Sequence, residues 1–153
     1  YAVLAGDGLS RHVSLVRVDK PPIARRVVGP EAARSVVAML EQVVTREGTG
    51  IKANVTGYRV AGKTGTARKV AAGGYAQDRH TAVFAGLVPA TEPRLVIVVV
   101  VDEPKGGVYY GGDVAAPVFS AVAAGALRIL AVPPDAAEPA SDRPLTKLAS
   151  SAP

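Results

Sequence analysis

Three extended runs lie close together in the middle of the chain, and the short links between them restrict the fold more than any other feature. The first covers Tyr58 to Thr66, the second is "TAVFAGLVP" and the third "PRLVIVVVVDEP". "VAAGGYAQDRH" links the first pair and "PATEP" the second. Links of this kind join antiparallel neighbours, whereas parallel strands need crossovers of a dozen or more residues, usually helical. An antiparallel sheet is therefore expected. Leu95 to Val101, all Leu, Val and Ile, suits a buried strand and is far shorter than the roughly 20 residues of a membrane-spanning helix.

Helices are expected around this sheet. "YAVLAG" reads as the tail of a helix that starts upstream, so the sequence is expected to be a fragment of a longer protein. "HVSLVRV" alternates as a short strand, with Val13, Leu15 and Arg17 on one side, and Pro21-Pro22 punctuates. A helix starts at Pro30, with Glu31 favoured in its first turn. Its apolar stripe is Val36, Val37, Leu40, Val43 and Val44, and Gly48 and Gly50 end it. "KGGVYYGG" is a glycine-rich turn. "DVAAPVFSAVAAGALRIL" is a second long helix, with Asp113 as N-cap and Pro117 in the first turn. Residues 135–153 are Ala, Pro, Ser and charge, and are expected to be a disordered tail.

Composition excludes some chemistry. There are no cysteines among the 153 residues, so disulfides, thiolate metal sites and cysteine catalysis are out. His12 and His80 are the only histidines and have no metal-binding spacing. No metal or cofactor is implied. The net charge of +5 is scattered and aromatics make up 5%, so no basic, aromatic-interleaved nucleic-acid surface is present.

The stretch "GYRVAGKTGT" reads two ways. Gly57 to Thr64 fits the phosphate-loop pattern G-x-x-x-x-G-K-[ST], and Asp102, ending an apolar strand, matches a magnesium-binding carboxylate. That reading needs a strand before Gly57 and a helix after Thr64. The sequence instead offers polar "TGIKANVT" before, and Gly65 with a Gly73-Gly74 pair after. On the second reading Lys63-Thr64-Gly65 is a K-T-G element on a strand. Lys63 supplies positive charge, Thr64 and Thr66 supply hydroxyl donors for a carboxylate, and Gly65 lets a substrate backbone come close. An extended peptide would add alongside by main-chain hydrogen bonds. Alternation puts both threonines opposite Lys63, so all three meet one ligand only along the strand edge or where the strand twists.

The surroundings favour the second reading. "YAVLAGDG", "VVGPEAARSVVAMLEQVV", "AGKTGTARKV", "FAGLVPA", "VVVVDEP", "YYGG" and "APVFSAVAAGALRILAVPPD" occur in this order. Together they resemble the last part of a class B penicillin-binding protein, most of all the division-specific branch of Gram-negative bacteria. The resemblance covers residues 1–134. It implies an α+β fold, the C-terminal portion of a penicillin-binding or serine β-lactamase-like transpeptidase domain, with an antiparallel sheet flanked by helices.

The resemblance also implies a peptidoglycan D,D-transpeptidase of septal wall synthesis, acting on stem peptides and acylated by β-lactams. Lys63 would order the proton network, and Thr64 and Thr66 would bind the terminal carboxylate. The Thr66 backbone N–H would form half of an oxyanion hole. Gly65 would admit the substrate and Arg68 would favour anions nearby. Tyr109, Tyr110 and Gly111 resemble the pocket's aromatic wall, with His80 in the segment facing it. The implied setting is the periplasmic part of an inner-membrane protein that meets cell-division partners.

Two family elements are missing. No serine here has lysine three residues on, and no S-x-N occurs. The nucleophilic serine is thus expected upstream, on the rest of the same protein. This chain alone is expected to supply one wall of the site and to be inactive.

Overall fold

The computed structural model describes residues 1–16, 18–20, 23–71 and 74–136. Helix α1 spans Ala2–Ala5, and Asp7 and Gly8 turn the chain with φ of 52° and 87°. Two-residue strands β1, Leu9–Ser10, and β2, Arg25–Arg26, pair antiparallel. Helix α2 is Pro30–Glu41. The main sheet contains β3, Ala61–Ala71, β4, Gly74–Val88, and β5, Leu95–Asp102. Its order is β3-β4-β5, antiparallel throughout, as the short links require. Helices α3, Gly111–Val114, and α4, Ala116–Ile129, complete the fold.

Side-chain alternation divides the sheet into two faces. Phe84 and Val99 are register partners on one face, where Phe84 packs edge-on against Phe119 of α4 with ring centroids 4.8 Å apart. Val60, Val88, Ala123 and Leu127 join them in the larger core. Ala61, Leu87 and Ala90 form a second core under α1 and α2, with Leu4, Val37 and Leu40. Along β5 the burial alternates, and Val96, Val98 and Val100 face out while their neighbours face α4.

Several sequence expectations need correction. No strand forms over residues 12–16. Val13, Leu15 and Val16 are exposed, and the Ser14 hydroxyl closes a local turn on Val16. Alternation makes a strand only where another backbone satisfies its N–H and C=O groups, and here Leu9–Ser10 pairs with Arg25–Arg26 instead. Arg17 and the Pro21-Pro22 pair lie outside the described residues. In α2 the face toward the core is Ala33, Val37, Leu40 and then Val44, while Val36 is 39% exposed. The α-helix ends at Glu41 and tightens to a 3-10 turn over Gln42–Val44, before either expected glycine.

The link expected between the first two strands is largely strand. β3 and β4 pair from Ala61–Leu87 out to Ala71–Gly74, with an irregularity between Arg68 and Val70. Antiparallel pairing uses backbone groups, so it continues where polar side chains hide the alternation. Asp113 is not an N-cap. Tyr110 precedes α3, and Asp113 instead bonds Lys52 at 2.8 Å. Gly111–Ile129 is long and apolar enough to cross a membrane by length and composition. It is divided at Ala115, however, and Ala116, Phe119, Ala123 and Leu127 are fully buried in the core. At the other end Asp135 accepts hydrogen bonds from the Arg59 and Thr91 backbones, so the fold runs at least to Ala136. The rest of the expected tail, residues 137–153, lies outside the described residues.

At the outer end of the sheet Lys69 reaches over β4 to Asp102 at 2.8 Å and Glu103 at 2.9 Å. The Lys69 hydrogen bond holds both carboxyls below their ordinary values of 3.8 and 4.5, and they in turn raise the lysine. Depressed carboxylates stabilise the fold above their unfolded pKa values, and that stability is lost as pH falls through the folded ones. The raised lysine loses its contribution only as pH rises above its ordinary 10.5. Lys69→Met is therefore expected to lower the thermal midpoint at pH 7. The gap to wild type should begin to narrow below about pH 4 and close as pH falls through the depressed values of the two carboxyls. Thermal unfolding at pH 7 and pH 3 checks this, and a gap unchanged at pH 3 would contradict it.

Candidate functional site

The K-T-G stretch lies in the middle of β3, and α3 sits directly on it. Gly111 makes this possible. A Cβ there would come within 2.3 Å of the Val83 carbonyl oxygen and 2.5 Å of that of Gly65. Only a glycine lets the α3 backbone rest on the backbones of two paired strands. Gly112 is similarly tight, since its Cβ would lie 2.1 Å from the Thr49 carbonyl oxygen.

This close approach builds a hollow of about 280 Å³ lined by Thr49, Thr64, Thr66, Tyr110, Gly111, Gly112 and Asp113. The Gly111 N–H donates to Thr66 Oγ1 at 3.0 Å. Thr64 Oγ1 lies 2.9 Å from Thr49 Oγ1. Lys63 Nζ donates to the Thr64 carbonyl at 3.0 Å and approaches its hydroxyl at 3.4 Å. The lysine thus curls back toward Thr64, though it is not among the residues that line the hollow. Gly65 pairs with Val83 and lies under Gly111.

Behind the hollow stands an aromatic wall. Tyr109 stacks on the buried His80 ring at 4.0 Å and 12°. Tyr110 tilts against Tyr109 at 4.6 Å and is 57% exposed. Contact with the Tyr109 hydroxyl pushes the Tyr110 hydroxyl above its ordinary value. Arg68 is exposed, opposite His80 in register and outside the hollow's lining.

The structure therefore gathers Lys63, Thr64, Gly65, Thr66, Tyr110 and Gly111 at one place, with Tyr109 and His80 as backing. Sequence reasoning missed Thr49, Gly112 and Asp113. Their signals were a threonine flanked by Gly48 and Gly50, and the acid after a double glycine. The phosphate-loop reading is overturned. Gly57 sits in a turn, and Ala61 to Thr64 are strand with no helix following. Asp102 is occupied by Lys69 and Thr81. Among the described residues no group of three His, Asp or Glu side chains could hold a metal. A larger cavity of about 460 Å³ lies between α1, α2 and residues 90–93, where Arg34 pairs with Asp7 and Arg59 with Glu41. It contains none of the K-T-G residues.

This fold and this strand define the class: the chain belongs to the penicillin-binding protein transpeptidase domain family, whose model matches residues 1–124. Among its relatives, the peptidoglycan D,D-transpeptidase FtsI of Escherichia coli is 44% identical over 136 residues, 89% of this chain and 23% of that protein. The probable peptidoglycan D,D-transpeptidase PbpC of Pseudomonas aeruginosa is 44% identical over 135 residues, 88% of this chain and 24% of that protein. Among solved structures, the apo transpeptidase domain of Burkholderia pseudomallei penicillin-binding protein 3 superposes with a TM-score of 0.82 at 44% identity. The match covers 90% of this chain and 42% of that one. The chain thus spans about a quarter of the length of these two relatives.

Proposed function

We propose that this chain is the carboxylate-binding wall of a peptidoglycan D,D-transpeptidase that serves septal wall synthesis, and that the nucleophilic serine lies upstream in the same protein. The observation that carries the proposal is the state of the Thr66 hydroxyl. Its oxygen already accepts the Gly111 N–H, so its single proton is available to an anion in the hollow. Thr64 lies beside it and the Lys63 ammonium supplies the charge that makes such bonds strong.

In this reading the upstream serine attacks the penultimate D-Ala carbonyl of a stem peptide. D-Ala leaves, and the acyl-enzyme passes to an amine of a neighbouring strand. Thr64 and Thr66 hold the terminal carboxylate, and the Thr66 N–H faces the developing oxyanion. Gly65 leaves room for the extended substrate, while Arg68 adds positive potential near the entrance. Tyr109, Tyr110 and Gly111 form the wall, with His80 stacked behind Tyr109. A β-lactam carries a comparable carboxylate and acylates the same serine. In this reading the wall belongs to the periplasmic part of an inner-membrane protein that works with cell-division partners, as the family resemblance implies.

The test is fluorescent-penicillin labelling of the complete protein. Wild type is expected to label on a serine upstream of residue 1, and Lys63→Ala to label about a hundredfold more slowly, the scale of losing one electrostatic contact to the transition state. A folded complete protein that takes no label would overturn the proposal.

A further inference from the structure

We infer that Thr49 is a positioning residue of this site: its hydroxyl donates to Thr64 Oγ1 and so directs the only Thr64 hydroxyl proton into the hollow. The inference rests on the carboxylate-wall reading and adds to it a residue outside the K-T-G strand.

A threonine hydroxyl has one proton and two lone pairs. Thr64 Oγ1 has two polar side-chain neighbours, Thr49 Oγ1 at 2.9 Å and Lys63 Nζ at 3.4 Å. An ammonium can only donate. Either hydroxyl of the threonine pair could be the donor, and the two orientations differ in consequence. If Thr64 gives its proton to Thr49, the hollow meets a Thr64 lone pair, which repels a carboxylate. If Thr49 donates, both lone pairs of Thr64 are engaged and its proton points to the ligand. Donors feeding that oxygen also polarise its O–H, which strengthens the bond it makes. A bound anion selects the second orientation. Thr64 then matches Thr66, whose oxygen takes the Gly111 N–H.

Thr49 is held in place for this role. The Thr49 carbonyl oxygen packs on Gly112, where a Cβ would lie 2.1 Å away. Gly50 is buried and donates its N–H to the Val43 carbonyl at 2.8 Å. Lys52 pairs with Asp113, which lines the hollow, at 2.8 Å. The turn is therefore anchored at Thr49 and directly after it, although the residue itself is exposed.

The test uses Thr49→Val, which keeps the shape and removes the hydroxyl, and Thr49→Ser, which keeps the hydroxyl, each in the complete protein. Acylation rate constants are measured with a penicillin and with its methyl ester, which lacks the carboxylate charge. Thr49→Val is expected to slow the free acid about tenfold, the scale of one hydrogen bond to a charged group, and to leave the ester within about twofold of wild type. Thr49→Ser should restore the free acid to within about twofold of wild type. The inference is overturned if Thr49→Val reacts with the free acid as wild type does. It is also overturned if acid and ester slow equally, which marks a residue that only braces the loop. A wild-type protein that reacts with neither compound would overturn the transpeptidase reading itself, and the role of Thr49 with it.

Discussion

Gly111→Ala is expected to destabilise the fold by about 3 kcal/mol or more, the upper range for a forced overlap in a packed site. The new methyl would meet two backbone carbonyls, of Val83 and Gly65, at 2.3 and 2.5 Å. Neither can swing aside as a side chain would, because both residues belong to paired strands. Either α3 lifts from the sheet or β3 and β4 separate, and both break the Gly111 bond to Thr66. The same substitution should therefore slow penicillin acylation by at least about tenfold under conditions where the protein stays folded. Denaturant unfolding and labelling kinetics on one preparation check both parts. Wild-type stability in the variant would mean that α3 does not rest on the sheet as described.

Phe119→Ala should be comparably severe for a different reason. Phe119 is fully buried, packs on Phe84 and lies over Gly86, whose Cβ would come 3.0 Å from its ring. The substitution leaves a cavity in a core that cannot collapse easily, at a cost of about 3–5 kcal/mol. Its effect on the site is indirect. Phe119 lies outside the hollow's lining, so acylation of the folded fraction should stay near wild type. A denaturant midpoint that barely moves would contradict the placement of α4 against the sheet. Gly111→Ala and Phe119→Ala thus separate damage at the site from damage to its support.

The sheet was legible because its evidence is local. The Leu95–Val101 run, the short Pro-bounded link after Val88 and the K-T-G triplet can each be read from neighbouring residues. The start of α2 was marked by Pro30 in the same way. What escaped depends on pairs distant in the chain. Gly111 meets Thr66 across 45 positions, Lys52 meets Asp113 across 61, and Thr49 meets Thr64 across 15. A residue such as Thr49 carries no periodic signature, and within "GTG" it read as the end of a helix. The outer halves of β3 and β4 were hidden because polar side chains break the alternation there, and backbone pairing with ion pairs such as Lys69 to Asp102 and Glu103 holds them. The expected strand at residues 12–18 failed for the opposite reason, since its alternation has no neighbouring strand over the described residues. The family, by contrast, was legible from many ordered segments at once, and the model match over residues 1–124 agrees with it.

The central claim is that Thr64 and Thr66 hold the ligand's carboxylate. The most direct test is a crystal structure of the complete protein acylated by a penicillin. The carboxylate oxygens are expected about 2.5–3.0 Å from both threonine Oγ1 atoms, the range of O–H···O hydrogen bonds. The acyl oxygen is expected at the Thr66 N–H, with the ligand seated in the hollow before Tyr110. A serine-acylated structure whose carboxylate is bound elsewhere, with both hydroxyls turned away from it, would contradict that claim.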